Sequence, residues 1–586
     1  MLARRLLRYS ASLLITRNHR IYPTRAPFLY FSMASPKVGE TRALSEDPVT
    51  PGKRPRLDEG PSEPVTAEGP IQKKPKDKAK NFAKKNAKRL KKARENVLEE
   101  CSPEDVQWKD IVELLEQDVV GKAIEEGTEF QSPFAFREEV ELEVKAISPN
   151  GAGLAQSDSE DKRRWVVVVP FALPGERVKA RIYKNARMHS LADFIEIVRP
   201  NSELRDDSRI QCRYFSKCGG CQYQMLSYET QLDFKRNVVI KAYKNYSHLP
   251  ATSIPKVQPT IGSPLQYGYR TKITPHFQAP PSKVDKVELQ KQCAEGKAPE
   301  WLKIGFNRQG TSNVMDIEEC PIATPVLNEA LPGVRDSIVK TIHTYKRGAT
   351  LLLRETLDTA EDSKHPPDTK LCNTSQHASI REKVGDFIFE YVANSFFQNN
   401  NVILPALTSY VRDAIIALYP NPDDPARPDH LIDTYCGSGL FAITLSPNFS
   451  KIVGIEISAE SIQSANQNAK LNNLPADRVE FRKGDASDIF QAVQDFPPEK
   501  TVMVIDPPRK GCDDAFIQQL LKFRCKVVAY VSCNVHTQAR DVGKILKATE
   551  KEVEGEGKKY VLESLRGFDL FPQTAHVESV AILKLV

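Results

Sequence analysis

The chain has 586 residues, of which 83 are lysine or arginine and 76 are aspartate or glutamate, so its formal net charge is only +7. This length allows several domains, and the mild charge means that any nucleic-acid surface must come from local patches. No apolar run reaches the roughly 18 residues that a membrane-spanning helix needs. The 11 cysteines do not suit a small secreted disulfide framework and favour a cytosolic, nuclear or mitochondrial protein.

Residues 1–36 have the composition of a mitochondrial targeting segment. No acidic residue occurs before Glu40, and the segment contains several serines and six arginines: Arg4, Arg5, Arg8, Arg17, Arg20 and Arg25. An unstructured basic tail is the alternative. Met33 is an internal start that would remove the segment, so we predict two products, one in the mitochondrion and one in the nucleus or cytoplasm.

Residues 37–100 are predicted to form a disordered basic tail. Their first half is rich in Pro, Ser, Glu and Gly, and residues 73–94 are densely basic with too few apolar residues to pack. Together with the Lys-Arg-Pro-Arg sequence at 53–56, this run is typical of nuclear localisation or nonspecific RNA contact. A solvated helix without a partner explains the run equally well.

Residues 103–130 are predicted to form one helix that links the tail to the body. From residue 137 to residue 200 the pattern changes to short strands with period-two alternation, and Asn150-Gly151 is a turn signal. Several short strands in a stretch of this length predict a small β-barrel of OB-like size. The stretch resembles the TRAM domain, and this resemblance implies RNA binding. An all-β spacer is the alternative.

Three cysteines follow the barrel within a short loop, and glycines between the last two permit a close approach of their thiols. A fourth cysteine further along the chain completes the predicted ligand set: Cys212, Cys218, Cys221 and Cys320. Four thiolates can hold a [4Fe–4S] cluster or a structural zinc ion. A site that no longer binds a metal is the third possibility.

Residues 205–390 are predicted to form an α+β central domain that carries these cysteines and binds RNA. Segments 267–273 and 301–308 interleave aromatic and basic residues, a mixture that can stack on bases and neutralise phosphates. The predicted RNA contacts are Tyr269, Arg270 and Lys272. A sheet with ordinary exposed lysines is the alternative.

Residues 391–586 predict a doubly wound, Rossmann-like α/β domain. A short apolar strand leads into Gly437-x-Gly439, where glycines let a cofactor approach the backbone closely. A second strand ends at Glu456, where a carboxylate can accept hydrogen bonds from a ribose diol. The pattern predicts a nucleoside cofactor, either a nicotinamide dinucleotide or S-adenosylmethionine. Gly484-Asp485, after the third strand, is predicted to lie near the adenosine.

A fourth strand ends at Asp506-Pro-Pro. Prolines cannot extend a ladder or a helix, so they stiffen the exit from the strand and direct Asp506 into the crevice. An Asp-Pro-Pro sequence in this place resembles base-modifying methyltransferases, which favours S-adenosylmethionine as the cofactor. A simple turn residue is the alternative for Asp506.

Two further residues have the chemistry of a catalytic pair. Cys533 follows the carboxyl end of an apolar strand, where α/β sheets bind their ligands, although a lone cysteine there is more often a buried structural residue. Glu578 interrupts the apolar last strand, where burial would raise its pKa and suit it to accept a proton. A glutamate at the rim in a salt bridge is the alternative.

The motifs Asp506-Pro-Pro-Arg, Ser532-Cys533-Asn534 and Phe571-Pro-x-Thr-x-His-Val-Glu578 together resemble those of the RNA uracil-C5 methyltransferases, and Phe396-Phe-Gln398 completes the set. The resemblance covers roughly residues 137–586. It is strongest to the fungal branch that makes ribothymidine in the T-loop of tRNA. Val535 departs from the family, which usually has proline after Ser-Cys-Asn.

The resemblance implies that the chain methylates C5 of a uridine in tRNA. It makes Cys533 the nucleophile, which adds to C6 and so makes C5 enolate-like, and Glu578 the base that removes the C5 proton. The cofactor contacts that it implies are Gln398, Tyr435, Glu456 and Asp506. We expect the site to lower the pKa of the Cys533 thiol, because a free cysteine is mostly protonated at neutral pH.

The resemblance also favours a [4Fe–4S] cluster over zinc on the four cysteines. It makes tRNA the partner, with the target uridine taken out of its stack. Two alternatives stay open: methylation of a ribosomal RNA uracil, and an RNA-binding or tRNA-folding factor without catalysis. We expect a monomer with no obligate protein partner and no membrane attachment.

Overall fold

The computed structural model describes residues 97–359, 366, 368–484, 493–552 and 557–586. The predicted targeting segment, residues 37–96 of the predicted basic tail, and Asp485 lie outside the described residues. The described residues from Glu99 to Val586 belong to one unit. None of the helices in the described part of the chain is long and apolar enough to cross a membrane.

Two helices precede the barrel, where the sequence predicted one. Helix α1 (Pro103–Leu115) and helix α2 (Gln117–Glu125) are separated by Glu116, whose φ of 70° is incompatible with an α-helix. The prediction of a single helix is therefore wrong at this residue. The helices also add apolar side chains to the core of the barrel, namely Ile111, Leu115 and Val120.

Five strands then close into a barrel: β1 (Glu139–Ile147), β2 (Ala152–Gln156), β3 (Val166–Pro170), β4 (Arg177–Asn185) and β5 (His189–Arg199). Their order around the barrel is β1-β2-β3-β5-β4. In β4 the buried Val178, Ala180 and Ile182 alternate with partly exposed residues, and closure leaves the sheet without a free edge. The predicted small barrel is confirmed, and its identity as a TRAM domain stays a prediction.

Helices and short strands follow the barrel. The helices are α3 (Tyr228–Tyr246), α4 (Lys286–Ala294) and α5 (Pro325–Thr341). The strands are β6 (Gln258–Ile261), β7 (Lys272–Ile273), β8 (His276–Phe277), β9 (Gly305–Asn307), β10 (Val314–Asp316), β11 (Ala349–Thr350), β12 (Leu353–Leu357), β13 (Lys370–Asn373), β14 (Ser379–Val384) and β15 (Phe387–Val392). Apart from β6, they form a four-stranded sheet (β10-β9-β8-β11), a three-stranded sheet (β13-β12-β7) and a hairpin (β14-β15).

The rest of the chain builds one large sheet. Its strands are β16 (His430–Thr434), β17 (Lys451–Glu456), β18 (Val479–Lys483), β19 (Thr501–Ile505), β20 (Val527–Ser532), β21 (Tyr560–Phe568) and β22 (Glu578–Leu585). Its helices are α6 (Leu404–Ala417), α7 (Leu440–Thr444), α8 (Ala459–Leu471), α9 (Asp514–Phe523) and α10 (Val535–Glu552). With β6, the eight strands have the order β18-β17-β16-β19-β20-β22-β21-β6.

Strands β16 to β20 pair in parallel, and β22 runs antiparallel to both β20 and β21. Strands β19 and β20 are buried along their whole length, as in parallel sheets that are covered on both faces. The carboxyl ends of β16, β17, β19 and β20 therefore meet at one edge. The predicted mixed α/β fold is confirmed.

Two elements from the central region, strand β6 and helix α3, also belong to the large sheet and its covering helices. Strand β6 pairs in parallel with β21 at the end of the large sheet, and α3 packs against α10. The two helices approach so closely that a Cβ on Gly543 would lie 2.0 Å from the carbonyl oxygen of Ser247. The sequence did not predict these two contributions, which come from before the predicted boundary at residue 390.

A buried ion pair joins α3 to the segment between β21 and β22. Lys235 and Asp569 are both fully buried, and the Lys235 ammonium donates a hydrogen bond to the Asp569 carboxylate. The same ammonium also donates to the carbonyl oxygen of Phe571 at 3.0 Å. Because this segment leads directly into Glu578, the pair fixes the approach to the last strand.

Replacing Lys235 by methionine should lower the free energy of unfolding by about 3–5 kcal/mol, because it leaves the Asp569 charge buried without its partner. Urea unfolding of the full-length protein measures this loss. The control is Lys244→Met on the same helix, whose side chain is 63% exposed and pairs with Glu113; it should cost less than about 1 kcal/mol. Equal losses in the two variants would contradict the importance of the buried pair.

Candidate active site

The chain turns sharply where β16 ends, at the carboxyl edge of the large sheet. Tyr435, Gly437 and Gly439 have φ of 59°, 53° and 90°, a left-handed conformation that glycine adopts without strain. A Cβ on Gly439 would also lie 3.1 Å from the ring of Phe481. The predicted Gly-x-Gly turn is therefore present between a strand and a helix.

The Glu456 carboxylate lies against this turn. Its Oε2 accepts a hydrogen bond from the Gly437 amide at 3.3 Å, and its Oε1 accepts one from the Ser458 amide at 3.0 Å. On the other side of the turn, the Tyr435 ring packs against Phe516 with centroids 5.6 Å apart. The structure thus brings Tyr435 and Glu456, two predicted cofactor contacts, to one crevice.

Two aspartates lie near the same turn, Asp433 within β16 and Asp506 directly after β19. Burial raises the pKa of Asp506, the residue after β19, to about 7. Burial also raises the pKa of Asp433 to about 8, and the charges of Asp506 and Glu456 add to this rise. Asp433 Oδ2 accepts a hydrogen bond from the Ala442 amide at 2.8 Å, whereas Oδ1 has no hydrogen-bond partner among the described residues. Sequence analysis missed Asp433.

Gln398, the remaining predicted cofactor contact, is half-buried in the loop after β15. The neighbouring Asn400 joins this loop to the segment before β22, because its Nδ2 donates a hydrogen bond to the carbonyl oxygen of Leu570 at 3.1 Å. The loop that carries Gln398 is therefore attached to the segment that leads to Glu578.

Cys533 and Glu578 come from neighbouring antiparallel strands. Ser532 lies opposite Ser579 in the register of β20 and β22, so the next residue outward on each strand is Cys533 on one and Glu578 on the other. Glu578 is 1% exposed, and its Oε1 has no hydrogen-bond partner within the described part of the chain. The structure thus brings together the thiol and the carboxylate that the sequence singled out.

Arg509 is a member of this group that sequence analysis did not single out, although it stands in the Asp506-Pro-Pro-Arg motif. Its guanidinium hydrogen-bonds to the Cys533 thiol, and its Nη2 lies 2.8 Å from His576 Nε2. Burial lowers the pKa of His576 to about 3, and the charge of Arg509 adds to this effect. The ring is therefore neutral, and Nε2 accepts the hydrogen bond from Arg509.

The expectation of a lowered thiol pKa is wrong for this structure. Burial raises the pKa of Cys533 to about 12, with the carboxylates of Glu578 and Asp506 adding to the rise and Arg509 opposing it. Loss of hydration and two nearby negative charges outweigh one cation. The expectation for Glu578 is confirmed, because burial raises its pKa well above the usual range, with Asp506 adding to the rise and Arg509 opposing it.

The four cysteines of the predicted cluster lie near one another. Burial raises the pKa of Cys221 well above its usual range, and Cys320, Cys218 and Cys212 each add to the rise. The loop after the barrel is held by the Cys212 amide, which donates to Gln224 Oε1 at 3.1 Å, and the separate segment at Cys320 is held by the Cys320 amide, which donates to Asn328 Oδ1 at 2.9 Å. The described residues nevertheless contain no group of three or more His, Cys, Asp or Glu side chains at metal-binding spacing.

The predicted RNA contacts divide into two kinds. Tyr269 is 1% exposed and its hydroxyl donates to the carbonyl oxygen of Pro572 at 3.0 Å, which contradicts its prediction as a base-stacking contact because no face of the ring is free. Arg270 and Lys272 are only half-buried. Burial lowers the pKa of Lys272 to about 8, with the charges of Arg354 and Arg270 adding to the effect. Arg270 also lowers the pKa of His576, which places it beside the site.

The chain is similar to several known proteins. Residues 370–586 match the family model described as tRNA (uracil-5-)-methyltransferase. A tRNA (uracil(54)-C(5))-methyltransferase of Schizosaccharomyces pombe is 44% identical to this chain, and the match covers 86% of this chain and 88% of the relative. The protein of the same name from Saccharomyces cerevisiae is 38% identical, over 77% of this chain and 74% of the relative.

One solved structure is similar over most of its length. It is the Pyrococcus abyssi tRNA (uracil-54, C5)-methyltransferase in complex with S-adenosyl-L-homocysteine, and it has a TM-score of 0.51 and 23% sequence identity. The match covers 75% of this chain and 99% of that chain. At this identity the likeness concerns the fold alone.

Replacing Arg509 by methionine should slow alkylation of Cys533 by iodoacetamide at a fixed alkaline pH. Loss of the cation raises the pKa of the thiol, so less of it is thiolate and the rate–pH profile moves to higher pH. We expect about a tenfold fall in rate, the effect of about one pKa unit. The rate is measured by mass spectrometry of the Cys533 peptide.

The control for this experiment is Arg509→Lys, which keeps a positive charge at the same position and should retain most of the wild-type rate. An Arg509→Met variant that alkylates as fast as the wild-type protein would show that Arg509 does not support the thiolate.

Proposed function

The chain belongs to the tRNA (uracil-5-)-methyltransferase family, and we propose that it methylates C5 of uridine 54 in tRNA with S-adenosylmethionine as methyl donor. The observation that carries the proposal is the pairing of Cys533 with Glu578 at the carboxyl edge of the large sheet. A thiol and a buried carboxylate side by side on adjacent strands can both reach one small planar base. The crevice beside them has the glycine turn and the carboxylates that suit a nucleoside cofactor.

The cofactor contacts that we propose are Gln398, Tyr435, Glu456 and Asp506. The Glu456 carboxylate lies at the glycine turn, where it suits a ribose diol. The unpartnered Oδ1 of the buried Asp433 is a further acceptor that faces the same group of carboxylates. When bound, S-adenosylmethionine supplies an electrophilic methyl group.

The proposed mechanism begins with Cys533. Its thiolate adds to C6 of uracil, which breaks the C5–C6 π bond and moves that electron pair onto C5 and the O4 carbonyl. C5 then attacks the electrophilic methyl carbon: the new carbon–carbon bond forms as the methyl–sulfur bond of the donor breaks, and that electron pair stays on the sulfur. Glu578 removes the remaining C5 proton, the electron pair re-forms the C5–C6 double bond, and the thiolate leaves.

The surroundings of the pair suit these steps. Arg509 hydrogen-bonds to the Cys533 thiol and therefore stabilises the thiolate when it forms and again when it leaves. Because burial raises the pKa of Glu578, this carboxylate holds a proton more strongly than an exposed glutamate does. A proton taken from C5 is thus accepted more readily.

Two variants should stop the reaction at different steps, one after the covalent adduct forms and one before it. With unmodified tRNA and S-adenosylmethionine, Glu578→Gln should accumulate a covalent protein–tRNA adduct, because the methyl group is added but the C5 proton stays. Cys533→Ala should form no adduct with any RNA. Denaturing gel electrophoresis with labelled tRNA separates the adduct from free RNA.

The wild-type protein with 5-fluorouridine-substituted tRNA is the positive control, because fluorine at C5 cannot be removed as a proton. Adducts with ribosomal RNA but not with tRNA would favour the alternative substrate. Tight tRNA binding without an adduct in any variant would favour a folding factor instead of an enzyme.

We also propose that Arg270 and Lys272 contact tRNA and that the N-terminal barrel adds a second RNA surface. The charge of Arg270 acts on His576, Lys272 follows Thr271, whose amide donates to the carbonyl oxygen of Asn399 next to Gln398, and neither cation is fully buried. They suit phosphate groups of an RNA whose target base enters the site. Localisation to the mitochondrion and to the nucleus or cytoplasm from two start sites, and a monomeric state, are proposals that rest on the sequence.

A [4Fe–4S] cluster on Cys212, Cys218, Cys221 and Cys320 is a further part of the proposal. It is supported by the number and type of these four thiols and by the charges of Cys320, Cys218 and Cys212, which add to the raised pKa of Cys221; the described residues do not have these thiols at metal-binding spacing. Zinc is the alternative. The cluster would hold the loop after the barrel to the segment at Cys320, and no step of the mechanism passes through it.

Protein purified without oxygen should contain about four iron atoms per chain and absorb broadly in the violet-blue. Both signals should disappear in Cys218→Ala and persist in the control Cys372→Ala, which changes a cysteine outside the proposed ligand set. A colourless protein with stoichiometric zinc would replace the iron–sulfur cluster by a zinc site.

A further inference from the structure

Arg354 in β12 is one of the largest fully buried side chains of the described residues, with an exposure of 0%. Its guanidinium donates hydrogen bonds to three carbonyl oxygens of one loop. Nη1 donates to Ala393 at 3.2 Å and to Ser395 at 2.9 Å, and Nη2 donates to Phe397 at 3.5 Å. Alternate residues of the loop therefore converge on a single cation, and the next residue is Gln398.

The charge of Arg354 is balanced on the side away from this loop. Its Nε lies 3.7 Å from Glu382 Oε1, and its guanidinium carbon lies 4.5 Å from the centre of the Tyr391 ring. The Tyr391 hydroxyl donates a hydrogen bond to Glu382, and the Tyr391 ring stacks on Phe397 at 4.6 Å. The planar fork of arginine can satisfy several carbonyls while it stacks on an aromatic ring, which a lysine cannot do.

The same loop contacts both the residue that precedes Lys272 at the start of β7 and the segment before β22, which leads to Glu578. The Thr271 amide donates to the carbonyl oxygen of Asn399 at 2.9 Å, next to Lys272. Lys272 in turn lies opposite Arg354 in the register of β7 and β12. On the other side, Asn400 bonds to the segment before β22. Arg354 therefore fixes a loop that connects the start of β7, Gln398 and the segment leading to Glu578.

We propose that Arg354 is a positioning residue for the cofactor, because it fixes the backbone of residues 393–397 and thereby sets the place of Gln398. A loop that is already ordered loses less entropy when the cofactor binds. Loss of Arg354 should therefore weaken cofactor binding while tRNA binding is retained. This inference rests on the proposed function, in which Gln398 contacts S-adenosylmethionine.

The test variant is Arg354→Lys, which keeps a positive charge beside Glu382 but has a single ammonium that cannot span three carbonyls. Calorimetric titration of the full-length protein with S-adenosylhomocysteine should show a Kd about tenfold higher than that of the wild type. The KM for S-adenosylmethionine should rise by a similar factor. The Kd for tRNA should change less than twofold.

Glu382→Gln is the matched control. It removes the buried carboxylate that balances Arg354 but keeps all three contacts between Arg354 and the loop. Because burial raises the pKa of Glu382 to about 7, this substitution changes the net charge only in part. S-adenosylhomocysteine affinity should stay within twofold of the wild type. An equal loss in both variants would mean that the buried charge balance matters and that the loop contacts do not, which would overturn the inference.

Gln398→Ala separates this inference from the proposed function. If Gln398→Ala binds S-adenosylhomocysteine like the wild type, the proposed cofactor contact is wrong. If Gln398→Ala binds S-adenosylhomocysteine weakly but a folded Arg354→Lys binds it like the wild type, only the inference about Arg354 fails. If both single variants bind S-adenosylhomocysteine weakly, the affinity of the double variant should be little lower than that of either one, because the two residues act through the same contact.

A measurement on the wild-type protein covers the case in which Arg354→Lys does not fold. The amides of Ala393 and Ser395 donate to the carbonyl oxygens of Ala378 and Val392, so a fixed loop should exchange these hydrogens slowly even without ligand. Hydrogen-exchange mass spectrometry of the peptide that contains residues 393–397 measures this exchange rate. Fast exchange that S-adenosylhomocysteine slows down would show that the cofactor orders the loop, and Arg354 would then have no positioning role.

Discussion

The antiparallel register between β20 and β22 is the constraint on which the active site depends. It sets Ser532 opposite Ser579 and so places Cys533 and Glu578 side by side where the two strands end. Because side chains alternate between the faces of a sheet, a slip of one residue would turn Glu578 to the opposite face. Strand β22 is held on both sides, by β20 and by β21, and this double pairing secures the register.

The same arrangement makes ionisation of the thiol costly. Cys533 shares a buried space with Glu578 and Asp506, whose carboxylates raise the pKa of the thiol, and Arg509 is the cation that opposes them. In this structure the thiol is therefore protonated. Since the thiolate is the form that oxidants and alkylating reagents attack, a raised pKa lowers the reactivity of this thiol towards them. Neutral His576, which accepts a hydrogen bond from Arg509, keeps the guanidinium at the thiol without adding a competing charge.

Local signals in the sequence were sufficient for much of this site. The Gly437-x-Gly439 turn, Glu456, Asp506-Pro-Pro and Cys533 each stand at the end of an apolar strand, and parallel strands bring such ends together whatever the details of packing. The barrel followed from period-two alternation. Sequence analysis missed the features that depend on contacts between residues far apart in the sequence. Burial of Tyr269 follows from a hydrogen bond to Pro572, 303 residues away, and no local pattern of aromatic and basic residues reports it.

The pKa of Cys533 was mispredicted for a related reason. The motif around the cysteine gives its place on the sheet, but the pKa depends on hydration and on charges from β19 and β22, which only the folded chain brings together. Sequence analysis also missed Glu116, whose positive φ divides the predicted helix into two helices that both add side chains to the core of the barrel. Sequence pattern therefore predicted which residues meet at the site, and it did not predict how their surroundings change them.

The contacts of the upstream chain show that the folded unit around the large sheet extends beyond residues 370–586, the stretch that matches the family model. Strand β6 covers the edge of β21, Lys235 neutralises the buried Asp569 next to the catalytic segment, and Arg354 holds the loop before Gln398. Without these three elements a strand edge would be open, a carboxylate would be buried without its partner, and three loop carbonyls would lose their donors. Each loss is unfavourable by itself. Because all three supports come from chain that precedes this stretch, we expect the loop that carries Gln398 and the strand that carries Glu578 to depend on the folded central region for their placement.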